Sequence, residues 1–146
     1  MRAIDTLIRL EDHELERLQR KRAELFAEQA LVLEKISALD FSLAEEAKIA
    51  ADTKDAIVRE SFPAFAERTR KKRAHLILEE REIAKNLDIL EEELRQHFTQ
   101  QKIYEQVAER LNQQSLKLEK RKENHQLDEL ALQAFVRKKN EQQDVL

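Results

Sequence analysis

The sequence has no cysteine, no glycine and no tryptophan, and only one proline among its 146 residues. Without cysteine, disulfide bonds and thiolate chemistry are excluded. Without glycine, the chain has no glycine-rich loop that could cradle a phosphate group. No apolar run approaches the roughly 20 residues that a membrane-spanning helix needs, and the first ten residues are too short and too charged for a signal peptide. These absences predict a cytoplasmic protein.

Helix-forming residues dominate what is there. Hydrophobic residues make up 41% of the chain and charged residues 39%, with alanine, leucine, glutamate, lysine and arginine the main types. This composition favours long helices or a coiled coil, and the fold class we expect is all-α. The net charge of −3 gives no overall field that would attract nucleic acid. The densest basic run, residues 68–73, has no aromatic platform for single-stranded nucleic acid.

The part of the chain before Pro63, which we call the first arm, carries a heptad repeat, in which apolar residues recur at alternating spacings of four and three. This first column is Ile4, Ile8, Leu15, Leu18, Leu25, Val32, Ile36, Leu39, Leu43, Ala50 and Ile57. Polar residues occupy the other seam positions: Glu11, Arg22, Gln29, Glu46 and Thr53. Such a repeat is typical of a left-handed coiled coil. It predicts a first helix over about residues 3–60.

The part of the chain from Pro63 onward, the second arm, has its own heptad column of mostly apolar residues. This column predicts a helix over about residues 63–139. This column is Leu76, Ile83, Leu90, His97, Tyr104, Leu111, Leu118, His125 and Leu132, with Leu87, Leu94, Ala108 and Val136 beside it. Pro63 separates the two arms, and proline is tolerated mainly in a first helical turn. We therefore expect a bend at about 61–63 within a single domain, residues 1–146. The alternative is one kinked rod that pairs with a second chain.

A hairpin folded about Pro63 gives facing residues whose numbers sum to 126. That register pairs Ile36 with Leu90, Leu15 with Leu111, Ile8 with Leu118, Arg22 with Tyr104, Gln29 with His97, and Glu46 with Glu80. The prediction is a monomeric two-helix antiparallel coiled-coil hairpin. Its second helix would overhang the first from Asn124 onward. The overhang is apolar over residues 127–136, and an unpaired apolar helix end is typical of a ligand for a partner groove.

No catalytic or metal-binding constellation is present in the pattern. None of the four histidines follows a glutamate or aspartate by three residues, so the Glu-x-x-His motif of di-iron bundles is missing. His97 and His125 share a column but lie about 42 Å apart along a helix. We expect no enzymatic activity, no cofactor, no metal and no small-molecule substrate.

Residues 123–138 resemble the end of FliJ-family flagellar export proteins. That family's tail typically has a polar stretch, an apolar residue, Asp-Glu, an apolar residue, alanine, and then arginine or lysine. The matching positions here are Leu127, Asp128, Glu129, Leu130, Ala131 and Arg137. The chain's length and two-helix layout agree with the family along nearly the whole chain. The injectisome YscO-type proteins share that layout and stay open as the alternative.

The resemblance implies a non-enzymatic stalk of a type III export apparatus. Its partners would be the hexameric export ATPase, the membrane-embedded export gate and export chaperones, and it would associate peripherally with the inner membrane. The residues expected to face the ATPase ring are Ile4, Leu7, Ile8, Leu127, Asp128, Glu129, Ala131, Phe135 and Arg137. An outward face nearer the bend would contact the gate through Phe41, Leu78 and Ile89. The competing hypothesis is a generic coiled-coil adaptor or self-associating scaffold, and a nucleic-acid-binding module is a distant third.

Overall fold

The chain forms two long helices in the computed structural model, which describes residues 2–144. Helix α1 spans Ala3–Asp52 and helix α2 spans Ala56–Asp144. The described residues include no strand, which confirms the all-α class and the packing of two long helices. Met1, Val145 and Leu146, at the two ends of the expected single domain 1–146, lie outside the described residues.

The chain divides into two compact units. The first unit comprises Leu10–Thr99 and contains most of α1, the connecting residues and the adjoining half of α2. The second joins Met1–Arg9 to Gln100–Leu146. In the first unit the two helices run antiparallel, because they are joined by three residues and pack against each other.

Within the Leu10–Thr99 unit, most residues of the two predicted columns lie in the seam where the helices meet. The most deeply buried cluster of the Leu10–Thr99 unit contains Leu15 and Leu18 from α1 with Leu90 and Leu94 from α2, and Leu25 packs against it. Burial recurs at spacings of three and four along both helices, which is the pattern of a coiled-coil seam. Removal of these leucines from water is the main term that holds the helices together.

The register differs from the predicted one by about two heptads. The polar contacts that join α1 to α2 include Glu11–His97, Arg22–Glu91 at 3.3 Å, Gln29–Glu80 at 3.0 Å and Asp40–Arg73 at 2.7 Å. The two residue numbers sum to 108 and 109 for Glu11–His97 and Gln29–Glu80, and to 113 for the other two pairs. The predicted sum of 126 is therefore wrong. Leu15 packs in the cluster that holds Leu90 and Leu94, and not against Leu111.

The bend lies at residues 53–55 and not at 61–63. Asp55 caps α2, since its Oδ1 accepts a hydrogen bond of 2.9 Å from the Ile57 N–H and its carbonyl accepts one of 3.2 Å from the Arg59 N–H. The hydroxyl oxygen of Thr53 accepts a hydrogen bond of 3.1 Å from the Asp55 N–H, which tightens the link. Thr53 and Asp55 thus supply the turn that the sequence analysis assigned to the proline.

Pro63 lies inside α2, as its eighth residue, and does not end a helix. A proline at this position removes one hydrogen bond, the one that would reach the Arg59 carbonyl. Arg59 is exposed, so water can satisfy that carbonyl. The Ser61 hydroxyl donates a 3.0 Å bond to the Val58 carbonyl instead of capping a new helix. Ile57, expected in the seam, is exposed beside the turn.

The shifted register lengthens the part of α2 that α1 leaves uncovered. Within the second unit, Ile4 is 8% exposed, and Tyr104 and Ala108 are half-buried. Every residue from Glu109 to Gln143 is exposed. We call residues 109–143 the exposed segment. The overhang is therefore present, but it begins near Glu109 and not at Asn124.

Candidate partner-binding surfaces

The exposed segment carries large apolar side chains with no covering element among the described residues. Phe135 is 64% exposed, and Leu116, Leu118, Leu127, Leu130 and Leu132 are each more than half exposed. Apolar side chains in this number on one surface-exposed helix are typical of a binding surface. The segment is the strongest candidate for partner contact.

The apolar residues of the exposed segment fall on two helix faces. At about 100° per residue, Leu127, Leu130, Ala131, Ala134 and Phe135 lie within about 140° of arc, which we call the distal stripe. Leu111, Leu118, Leu132 and Val136 lie on roughly the opposite face, where they continue the seam column of the hairpin past the end of α1. A helix with apolar residues on two faces can meet more than one partner surface.

The residues expected to face an ATPase ring are only partly brought together. Leu127, Asp128, Glu129, Ala131, Phe135 and Arg137 are all exposed on the exposed segment. Ile4 is buried in the seam, Ile8 is half-buried and Leu7 is 40% exposed. Ala108, the last half-buried residue of α2 up to Gln143, precedes Leu127 by nineteen residues, or about 28 Å along the helix. The Ile4 group and the tail group are therefore separate, and Ile4 itself is not available to a partner.

Sequence reasoning missed part of this surface. Leu116 and Leu130 are exposed in the same segment but were not among the expected site residues. Leu111 and Leu118 were assigned to seam layers with Leu15 and Ile8, although both are exposed. With the correct register these exposed residues could have been recognised, because that register ends the part of α2 that pairs with α1 near Ala108.

The three residues expected on the gate-facing surface all point into solvent. Phe41 is 69% exposed, and Leu78 and Ile89 are each more than half exposed. They do not form one compact patch, because Leu78 and Ile89 are eleven residues, or about 16 Å, apart along α2. Phe41, on α1, is the largest of them and the best single candidate for a contact on this face.

The basic run at residues 68–73 is partly neutralised by local partners. Arg73 binds Asp40 at 2.7 Å, and Lys71 lies 3.8 Å from Glu67.

Among the residues that the structure describes, no group of three or more histidine, cysteine, aspartate or glutamate side chains could hold a metal ion. Across that same part of the chain, neither helix is long and apolar enough to cross a membrane.

Among the residues that the structure describes, shifted pKa values occur in two local pairs near the start of α1, Arg2–Asp5 and Glu14–Arg17. The hydrogen bond from Arg2, at 3.2 Å, lowers the pKa of the Asp5 carboxyl. The hydrogen bond between Arg17 and Glu14, at 2.6 Å, lowers the pKa of Glu14 and raises the pKa of Arg17. In each pair the two residues are three apart on an exposed helix surface, which is ordinary helix stabilisation and not a reactive site.

Comparison with protein-family models, curated proteins and solved structures finds no match to this chain. The features of this chain that indicate a function are its exposed apolar surfaces and the resemblance of residues 123–138 to the FliJ-family tail.

Proposed function

We propose that this chain is a non-enzymatic coiled-coil stalk of a bacterial flagellar type III export apparatus. It engages the hexameric export ATPase and links it to the membrane-embedded export gate and to export chaperones. It acts in the cytoplasm and associates peripherally with the inner-membrane apparatus. The observation that carries this proposal is the exposed segment, which holds the family-like tail in a continuous helix that no other described part of the chain covers.

The exposed apolar side chains of the exposed segment would gain free energy if a partner buried them. Burying a leucine or phenylalanine side chain fully contributes roughly 1.5–3 kcal/mol relative to leaving it in water. Part of that gain is offset by the entropy lost on association. The exposed segment is already helical, so the cost of ordering it on a partner is small. A groove in the ATPase ring would bind this preformed helix.

Separate surfaces would serve separate partners. The distal stripe lies in the second unit, whereas Phe41 lies in the Leu10–Thr99 unit. We assign the ATPase contact to the distal stripe and the export-gate contact to the face that carries Phe41. Aromatic side chains dominate the energetics of such contacts, so Phe135 and Phe41 are the residues to test.

The test compares Phe135→Ala with the matched variant Phe41→Ala. Phe135→Ala should weaken binding to the purified export ATPase, and its stimulation, roughly thirtyfold or more, because loss of a buried aromatic anchor costs about 2 kcal/mol or more. Phe41→Ala removes an equally exposed phenylalanine and should leave ATPase binding unchanged. Binding is measured by titration of immobilised ATPase, with helicity and urea melts as folding checks.

Two results would contradict the proposal. Normal ATPase binding by a folded Phe135→Ala variant would move the function to another surface. An unfolded Phe135→Ala variant would show that the distal stripe belongs to the core, contrary to its exposure.

A further inference from the structure

The Leu10–Thr99 unit has a groove along one face between its two helices. Three open depressions of about 650, 400 and 230 Å³ follow one another at seven-residue intervals. From the bend outward, their lining residues include Lys35, Glu28 and Lys21 on α1 and Lys72, Glu79 and Asn86 on α2. We call this face the interhelical groove. Since a heptad-spaced groove on a two-helix coiled coil has the geometry that a third helix fills, its natural occupant is a helix.

The groove offers apolar contacts to such a helix. Leu39 and Leu76 line the depression nearest the bend, and Leu31 and Ile83 line the next one. Leu31 is more than half exposed, and so is Ile89 in the third depression. A third helix would remove these side chains from water.

The groove also has an ordered charge pattern. Lys71 and Lys72 line the depression nearest the bend, and Glu28, Glu79 and Glu82 line the next, while Lys35 lies at the boundary and lines both. Lys72 and Glu82 are ten residues apart, or about 15 Å along α2. Among the described residues, neither of these two side chains forms an ion pair. An occupant should therefore be acidic at one end, apolar in the middle and basic at the other end.

The end of α2 has this pattern at the same spacing. Asp128 comes first, the apolar residues of the distal stripe follow, and Arg137 and Lys138 come last. Asp128 and Lys138 are also ten residues apart, or about 15 Å. None of these three charged side chains forms an ion pair within the described part of the chain.

We infer that the occupant of the interhelical groove is residues 127–139 of a second copy of this chain. The docked segment runs parallel to the α2 helix that receives it, with Asp128 beside Lys35 and Lys72 and with Lys138 beside Glu28 and Glu82. The opposite direction would bring Asp128 to the glutamates and Lys138 to the lysines, so like charges exclude it. Phe135, seven residues after Asp128, then lies level with Glu79 and beside Leu31, which line the same depression.

The contact is between two different surfaces, so each copy offers both a segment and a groove. The sequence alone predicts a monomer, and this contact adds self-association that grows with concentration. It uses the same side chains as the proposed ATPase contact, so a docked copy and the ATPase exclude each other at this segment. The inference itself does not depend on the ATPase, because its test contains only this chain.

The experiment is sedimentation of the full chain over a concentration series, for two variants alone and mixed. The segment variant is Asp128→Lys, and the groove variant is Lys35→Glu with Lys72→Glu. Each should weaken self-association at least about tenfold, since each places like charges together. An equimolar mixture of the two variants should recover association. In the mixture, the unchanged groove of the segment variant can bind the unchanged segment of the groove variant.

The matched control is Lys54→Glu, a charge reversal at an exposed lysine in the connecting residues and outside the groove. It should associate like the unaltered chain, and helicity measured by circular dichroism should be the same for all variants. Higher salt should weaken association of the unaltered chain, because the charges are exposed. A chain that stays monomeric at every concentration would overturn the inference. So would a mixture that fails to recover association, or a control that weakens it as strongly as the groove variant.

Discussion

Leu90 and Leu118 belong to one heptad column of α2 but differ completely in environment. Leu90 is 3% exposed in the main hydrophobic cluster, whereas Leu118 is 57% exposed in the exposed segment. Sequence position within the heptad is the same, so only the presence of α1 opposite Leu90 distinguishes them. Comparing the two leucines therefore separates the stability that comes from packing in the seam from the stability that comes from helix propensity.

The first prediction compares Leu90→Ala with Leu118→Ala. Leu90→Ala should lower the free energy of unfolding by roughly 2–5 kcal/mol, because it leaves a cavity in a packed layer. Leu118→Ala should change it by less than about 0.5 kcal/mol, since it alters an exposed surface position. Urea melts followed by circular dichroism measure both values. Equal losses in the two variants would show that the seam continues past Ala108.

At the scale of single elements, the start of α2 depends on Asp55 and not on Pro63. An N-cap carboxylate satisfies N–H groups that have no partner inside the helix. The sequence contains this signal, since Thr53 and Asp55 come just before the apolar residues Ala56, Ile57 and Val58. The proline is a stronger helix breaker in general, yet the helix accepts it here with the loss of a single hydrogen bond.

The second prediction tests this cap. Asp55→Ala should lower the free energy of unfolding by about 0.5–2 kcal/mol, as expected for loss of an N-cap. Ser61→Ala is the control, because Ser61 would be the cap only if a helix began at Pro63. Its hydroxyl bonds back to the Val58 carbonyl, so its removal should have almost no effect. A larger loss for Ser61→Ala than for Asp55→Ala would place the helix start at the proline.

At the scale of the whole chain, the heptad pattern predicted which residues are buried but not which ones face each other. Both seam columns are correct over most of α1 and over α2 up to Ala108. The periodicity of apolar residues determines a helix face, and that information is local. A shift of seven residues, however, leaves apolar positions opposite apolar positions, so the columns alone match in several registers.

Polar residues in the seam distinguish these registers. In the observed pairing Gln29 meets Glu80 and Glu11 meets His97, whereas the predicted pairing placed Glu46 opposite Glu80. That mismatch was a physical reason to reject the predicted register, because like charges in one layer are destabilising.

The exposed segment could be predicted only in part, since the residue at which it begins depends on this register. Its apolar residues and charges could be found from the sequence directly.

The third prediction concerns the register, and the absence of cysteine makes the chain a clean background for it. A variant with Gln29→Cys and Glu80→Cys should cross-link internally with a short bismaleimide, because those two side chains are in contact. A variant with Glu46→Cys and Glu80→Cys should not, although it matches the register predicted from Pro63. Mobility on a denaturing gel reports the internal cross-link. The opposite result, efficient cross-linking of the second pair only, would restore the predicted register.

The three-residue connection also determines the order in which the Leu10–Thr99 unit assembles. Asp40 and Arg73, near the connection, are separated by 33 residues along the chain, whereas Glu11 and His97 are separated by 86. Each pair of residues that comes into contact shortens the loop that the next pair has to close. The entropic cost of loop closure therefore arises in small increments. We therefore expect the unit to fold like a zipper from the connection outward. Opening then begins at the opposite end, where amide protons should exchange with solvent first.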